Sequence, residues 1–331
     1  MRKAGKAILL FPIISVVVVF LAILLVNLAV SEPSVQTAQQ VRYLKPYTFQ
    51  HTTEPQIFLY PDNPSPGDFL IVEVAPLIVR DPVQIEFSFS GNISNHYRVG
   101  ENYYAVIGIS YDTLPGSYTV TVKADQGLSS DPLVLVSKEM AIGAKDFYVS
   151  RFRVPPSATV GWTAERLAAD REKVRLARET TEPQPLWLQG FMLPLVGRIT
   201  SEYATIRYIN DNPPRRHNGI DIATDEGVPV VTAGSGIVRL SEFLLSGGNT
   251  VIIDHGLKLS STYMHLETIL IKTGETVERG EQIGTVGMTG YANGPHLHWE
   301  VNIGQAPVNP MQLLDNDLLW VPPAYVNTMI E

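Results

Sequence analysis

Cysteine is absent from the 331 residues, which excludes disulfides, thiol nucleophiles, iron–sulfur clusters and cysteine-ligated zinc. Any metal must therefore be held by nitrogen and oxygen. Basic residues are in the minority as well: Lys and Arg number 25 against 33 Asp and Glu, a net charge of −8. With no strong basic patch, the balance argues against a nucleic-acid partner, because phosphate binding needs a basic surface. Internal repeats and low-complexity tracts are also lacking. What the chain has in quantity is turn formers, 25 Gly and 24 Pro spread throughout, which favour short strands over long helices.

One long uncharged run stands at the N-terminus. Ala7 to Ser31 is mostly Ile, Leu, Val, Phe and Ala. As a helix it reaches roughly 36 Å, enough to cross a ~30 Å hydrocarbon core. Arg2, Lys3 and Lys6 precede it, so the positive-inside rule places residue 1 in the cytoplasm and the chain after about residue 31 outside. The rival reading is a cleaved signal peptide with Ala29-Val30-Ser31 as its cleavage site, giving a secreted protein. The run is longer than the usual signal core of about 7–15 residues, which favours the anchor.

The expected organisation follows from composition. An anchor over 1–31 leads into a polar stalk over 32–50. Residues 51–155 carry about seven short β-like runs, among them Gln56–Tyr60, Phe69–Val74, Val83–Phe89, Tyr103–Ile107, Tyr118–Val122 and Leu133–Val136. Strands of this number and length fit an immunoglobulin-like β-sandwich, and nothing in it looks catalytic. Pro155-Pro156 opens a helical linker over 156–186, with Thr163 as N-cap and a thin apolar stripe through Leu167 and Val174. A solvated connector is expected there. Strand signals return over 187–318 and a tail occupies 319–331. The fold class is thus mainly β, and the sandwich is expected to be a spacer for a self-contained last domain.

Five of the seven histidines fall in three short segments of that domain: His217-Asn218-Gly219-Ile220-Asp221, Tyr263-Met264-His265-Leu266 and Gly294-Pro295-His296-Leu297-His298-Trp299. In a strand, residues two and four apart share a face. His217 and Asp221 are therefore expected to converge, as are His296 and His298, with Ile220, Ile222, Leu297 and Trp299 turned inward. Singly, each pair is as well explained by ordinary strand histidines. Jointly they favour a metal site. Two imidazoles and a carboxylate suit Zn²⁺ and leave a fourth tetrahedral position for water, whose pKa such a metal lowers toward ~7. The other histidines are then free to move protons or stabilise an oxyanion.

From about Gly190 to Leu314 the chain resembles the M23 peptidases, the lysostaphin and LytM type of cell-wall endopeptidase. His-x-Gly-x-Asp, a histidine in Tyr-x-His-Leu and His-x-His are all present, as are Ile253-Asp254-His255-Gly256 and Gly287-Met288-Thr289-Gly290 before Gly294-Pro295-His296. The resemblance implies a β-rich LytM-type domain with one Zn²⁺ per chain, held by His217, Asp221 and His298. It also implies His265 and His296 as catalytic histidines and peptidoglycan peptides as substrate. One departure is Ser201-Glu202-Tyr203-Ala204, where many members read Ser-x-Phe-Gly. His255 is expected to be structural, Tyr263, Trp187, Phe191 and Trp299 to pack, and Glu300 to lie outside the reacting set. Two other functions fit parts of the pattern: a non-catalytic LytM-type regulator of wall hydrolases, and a biotinyl-like carrier domain. The first usually lacks part of the ligand set, and the second lacks its modifiable lysine.

Overall fold

The computed structural model describes residues 54–77, 83–88, 96–124, 131–153, 161–210 and 212–314, all within one compact unit that starts at Tyr47. The expected anchor, stalk and C-terminal tail lie outside the described residues. Among the described residues no helix is long and apolar enough to cross a membrane.

The first seven strands are β1 (Gln56–Tyr60), β2 (Phe69–Ala75), β3 (Val83–Phe87), β4 (His96–Val99), β5 (Asn102–Gly108), β6 (Gly116–Ala124) and β7 (Leu133–Ile142). They form two antiparallel sheets, ordered β1-β2-β5-β4 and β3-β6-β7. Alternation sends Leu70, Val72, Val74, Tyr103, Ala105 and Ile107 of one sheet against Ile85, Phe87, Val120 and Val122 of the other in a common core. β2 and β5 are also buried at the intervening positions, Phe69, Ile71, Tyr104 and Val106, because their second face is covered too.

Next come β8 (Val149–Phe152) and the helix α1 (Ala164–Glu179). Thr163 caps α1 as expected, its Oγ1 accepting from the Arg166 N–H at 3.3 Å. The helix is exposed along most of its length, as its polar composition leads one to expect, but it is also docked on the following domain. Ala177 packs on Leu240, Leu244 and Ile252, Asp170 accepts the Leu245 N–H at 2.7 Å, and Arg178 is buried.

The remaining strands are β9 (Arg198–Ser201), β10 (Ile206–Ile209), β11 (Arg215–Arg216), β12 (Gly219–Ala223), β13 (Pro229–Val231), β14 (Gly236–Leu244), β15 (Gly248–Gly256), β16 (Leu259–Ile269), β17 (Thr276–Val277), β18 (Gln282–Val286), β19 (His296–Ile303) and β20 (Ala306–Val308). Ten of them make one sheet along the path β17-β14-β15-β16-β19-β12-β9, with β13, β18 and β20 branching from it. A small separate sheet, β11-β10-β8, joins the chain before α1 to this region through parallel β8–β10 pairing.

The sandwich is not packed apart from the last domain, which was expected to be self-contained. Phe69, Ile71, Tyr97, Tyr104 and Val106 belong to the same core cluster as Trp187, Phe191, Ile220, Leu297, Trp299 and Val308. Backbone seals this contact. The Phe69 N–H donates to Gln312 Oε1 at 2.8 Å and the Asn309 N–H to Gly67 O at 2.8 Å, while a side chain at Gly108 would meet Ile303, Ala306 and Val308. The physical reason is burial: the outward faces of β2 and β5 are too apolar to be left in water.

Candidate metal centre

The site is made at the seam of β12, β19 and β16. Antiparallel pairing sets Asp221 of β12 directly opposite His298 of β19. The seam is close, since a Cβ at Gly219 would stand 2.2 Å from Trp299 O, so glycine is required there. Ile220 and Ile222 turn into the core, which turns Asp221 the other way. His217 lies in the two-residue link between β11 and β12 rather than on the strand, and its backbone is pinned by the Ala204 N–H donating to His217 O at 2.7 Å. Ala204 itself sits at φ 58°, a left-handed position that accounts for glycine in the related motif. Tyr203 uses its extra hydroxyl to donate to Pro307 O at 2.8 Å.

Three ligand-type atoms converge. His217 Nε2 is 3.0 Å from Asp221 Oδ1 and 2.9 Å from His298 Nδ1, and His298 Nδ1 is 2.9 Å from Asp221 Oδ1. His217, Asp221 and His298 are the one cluster of this kind among the described residues, and all three are buried. In a tetrahedral site with bonds of about 2.0–2.1 Å the same atoms stand roughly 3.3 Å apart, so a spread of a few tenths of an ångström admits an ion.

The outer contacts decide where the protons sit. His217 Nδ1 is 2.9 Å from Glu202 O, which only accepts, so that nitrogen carries the hydrogen and Nε2 presents a lone pair. His298 Nε2 faces Glu300 Oε2 at 3.7 Å, which favours the hydrogen on Nε2 and a lone pair on Nδ1. Two lone pairs and a carboxylate oxygen within 3.0 Å of one another require a cation between them. Without a metal a proton serves. Burial opposes a charged His298, but Asp221 and Glu300 outweigh it and push its pKa up to about 9. Burial would likewise raise Asp221, yet its close contacts with His217 and His298 hold it well below the carboxylate range. Burial lowers His217. The donor set therefore fits a metal ion.

Beside the triad stand His265 and His296, ring centroids 4.7 Å apart. His265 Nδ1 donates to Thr289 O and His296 Nδ1 to Gly294 O, each at 2.8 Å, leaving both Nε2 atoms as acceptors. His296 Nε2 is 3.8 Å from Asp221 Oδ1. Burial, then the positive charge of His298, brings His265 down to about 3, so it is neutral at physiological pH. A β-bulge sets its position: β16 uses one residue more than β15 between Tyr263 and Leu266, and His265 takes φ 64°. A histidine held there costs roughly 1–3 kcal/mol, strain of the kind that clusters at functional sites.

The other expectations divide cleanly. His255 is buried, with Nδ1 donating to Ser235 O at 2.8 Å and Nε2 2.7 Å from Ser261 Oγ. Tyr263, Trp187, Phe191 and Trp299 are core. Arg207 of β10 was not foreseen: its Nη2 donates to Asp221 Oδ2 and to Ser201 Oγ at 2.7 Å. Arg178 of α1 was not foreseen either, and its Nη2 lies 3.0 Å from Glu300 Oε1 in a buried ion pair whose angle falls short of a hydrogen bond. Burial would raise Glu300, but Arg178 and His298 keep its carboxyl below the ordinary range.

A β-rich domain with this histidine–aspartate cluster defines a metallopeptidase class. Residues 215–310 match the model of peptidase family M23, so the chain contains an M23 peptidase domain, and all five site residues lie inside it. The peptidoglycan DD-endopeptidase ShyA of Vibrio cholerae is 45% identical over 96 residues, which are 29% of this chain and 22% of that protein. The DD-carboxypeptidase/endopeptidase Mpg of Neisseria meningitidis is 39% identical over 126 residues, 38% of this chain and 29% of that protein. The match thus spans less than a third of either relative. A crystal structure of an M23 peptidase from Pseudomonas aeruginosa superposes with a TM-score of 0.57 at 26% identity, covering 78% of this chain and 96% of that one. That likeness runs well beyond the 215–310 segment.

Proposed function

We propose that the protein is a zinc-dependent endopeptidase that hydrolyses peptide cross-links or stem peptides of bacterial peptidoglycan. The observation that carries this reading is the complete His217–Asp221–His298 cluster with two further histidines, His265 and His296, at its edge. Two imidazoles and one carboxylate without thiolate suit Zn²⁺, one per chain. When bound, such an ion supplies Lewis acidity toward a scissile carbonyl and acidifies water. The chain's own groups do the rest. His217, Asp221 and His298 hold the ion, with Arg207 and Glu300 fixing their outer edges. His296 offers an Nε2 lone pair that takes a proton from the attacking water and returns it to the departing amine, and His265, kept neutral by burial, stands beside it as the second catalytic histidine. An intact ligand set speaks against a purely regulatory LytM-type domain.

The seven-stranded N-terminal unit is proposed as an immunoglobulin-like sandwich, supported by its four- and three-stranded antiparallel sheets on one core. Residues 1–31 are proposed as a single-pass membrane anchor that holds the domain outside the cytoplasm. The decisive experiment is digestion of purified peptidoglycan by the zinc-loaded protein, with products identified by mass spectrometry. New free stem-peptide or bridge termini are expected, and absence of any cleaved peptide bond refutes the enzyme. For the anchor, retention in membranes after a high-salt wash is expected, and release of a chain shortened to begin near Glu32 refutes it.

A further inference from the structure

Behind the ligand cluster a line of buried charge runs on through Glu300 to Arg178, which the proposed chemistry does not use. His298 Nδ1 meets Asp221 Oδ1 at 2.9 Å, its Nε2 faces Glu300 Oε2 at 3.7 Å, and Glu300 Oε1 is 3.0 Å from Arg178 Nη2. Glu300 is 3% exposed and Arg178 9%. Arg178 Nη2 also donates to Thr262 Oγ1 at 3.5 Å, which ties the guanidinium to β16. An unpaired carboxylate so deep in the fold would be strongly disfavoured, and beside a ligand imidazole it would compete for position. Arg178 balances it and fixes it. The arginine comes from the last turn of α1, outside the 215–310 segment that matches the peptidase family.

We infer that Arg178 is a positioning residue of the metal centre: through Glu300 it sets the orientation of the His298 ring and the nitrogen that ring presents to the ion. The helix joining the two domains is on this account part of the metal site rather than a connector. The inference rests on His298 being a ligand, and it is consistent with the general behaviour of histidine ligands, whose outer nitrogen is held by a carboxylate and whose metal affinity falls when that partner is lost.

The test measures zinc affinity of the full chain by chelator competition, together with thermal stability, for five variants. Arg178→Met is expected to weaken zinc binding roughly 10–100-fold, with Arg178→Lys recovering most of the loss. Asp170→Ala removes a different polar tie of α1, the one to the Leu245 N–H, and leaves the charge line alone, so it is expected to lower Tm without changing zinc affinity. The double variant Arg178→Met, Glu300→Gln removes both charges together, which preserves folding where the single change leaves a buried charge unpaired. It should fold, bind zinc weakly, and shift the ¹⁵N resonances of the His298 ring. Wild-type zinc affinity in the folded double variant overturns the inference and leaves the pair as mere docking. Equal weakening by Asp170→Ala overturns it as well. His298→Ala runs alongside: if that variant keeps zinc, the ligand reading itself has failed, a result separable from any outcome at Arg178.

Discussion

Replacing Gly219 by Ala should damage the metal site without altering a single ligand. The new Cβ would lie 2.2 Å from Trp299 O, 2.8 Å from Trp299 C and 3.0 Å from Glu300 Cα, all backbone atoms of β19. No rotamer relieves that contact, so β12 and β19 must part by about 1 Å to reach ordinary van der Waals separation. Two residues along the same seam, Asp221 and His298 sit directly opposite each other. A shift of even half that size exceeds the tolerance of about 0.2 Å on metal–ligand distances. Overpacking of this kind costs about 1–3 kcal/mol, and at about 2–4 °C per kcal/mol the melting temperature should fall by roughly 2–12 °C. Zinc affinity should fall at least about tenfold, the equivalent of ~1.4 kcal/mol. Differential scanning fluorimetry and chelator competition measure the two losses. Gly294→Ala is the matched control, since its Cβ would meet nothing within 4 Å although it lies two residues from His296. The reasoning is refuted if Gly219→Ala keeps both the melting temperature and the zinc affinity of the parent.

Three further outcomes are expected. His298→Ala should lose zinc, whereas His296→Ala should keep it and lose roughly 10²–10³-fold in rate; equal zinc content in the two by elemental analysis would reverse the assignment within the pair. Because His298 is held protonated to about pH 9 by Asp221 and Glu300 against the effect of burial, zinc must displace one proton, and affinity should rise about tenfold per pH unit between 6 and 8. The sign reverses for the metal-free protein: a pKa raised from 6.5 to about 9 contributes stability that is full below 6.5 and lost as pH climbs to 9, so its Tm should decline across that window, and a flat titration of both quantities would remove the basis for the claim. A fragment starting at residue 161 lacks β8 and the sandwich, which uncovers Tyr203, Ile303 and Val308, so it should aggregate or melt well below the full chain. A monomeric fragment of undiminished Tm would show that the shared core contributes little.

Much of the site was legible because its chemistry is compressed into short segments. His217 and Asp221 are four residues apart and His296 and His298 two, so spacing alone brought each pair together. What spacing does not carry is register. That Asp221 faces His298 depends on how β12 meets β19, and that His265 joins them depends on a bulge with a left-handed histidine. Neither leaves a mark in a single sequence. Arg207 was hidden for the same reason: its strand is placed by pairing with β8, more than fifty residues upstream. Arg178 did leave a trace. The stripe through Leu167 and Val174 continues at helical spacing to residue 178, where an arginine stands in an apolar row. A charged side chain on the buried stripe of a helix needs a buried partner, and Glu300 is that partner.

The contact between the sandwich and the last domain leaves a similar trace in the sequence. A strand with one wet face alternates, as β3 does with its buried, half-buried pattern. β2 and β5 do not alternate: Phe69-Leu70-Ile71-Val72 and Tyr103-Tyr104-Ala105-Val106-Ile107 are apolar at consecutive positions, the mark of a strand covered on both sides. One side faces β3 and β6, so the other demands a second layer, and the peptidase domain supplies it. The contact reaches toward the metal centre. Tyr111 donates to Asn218 Oδ1 at 3.3 Å, and the Arg216 guanidinium lies 5.4 Å from the Tyr111 ring and 4.9 Å from that of Phe147. Arg216 and Asn218 bracket His217 in the chain, so the link that carries this ligand is held on both sides by residues of the N-terminal unit. Because His217 is fixed by no strand of its own, those contacts are part of what keeps its Nε2 within 3.0 Å of Asp221.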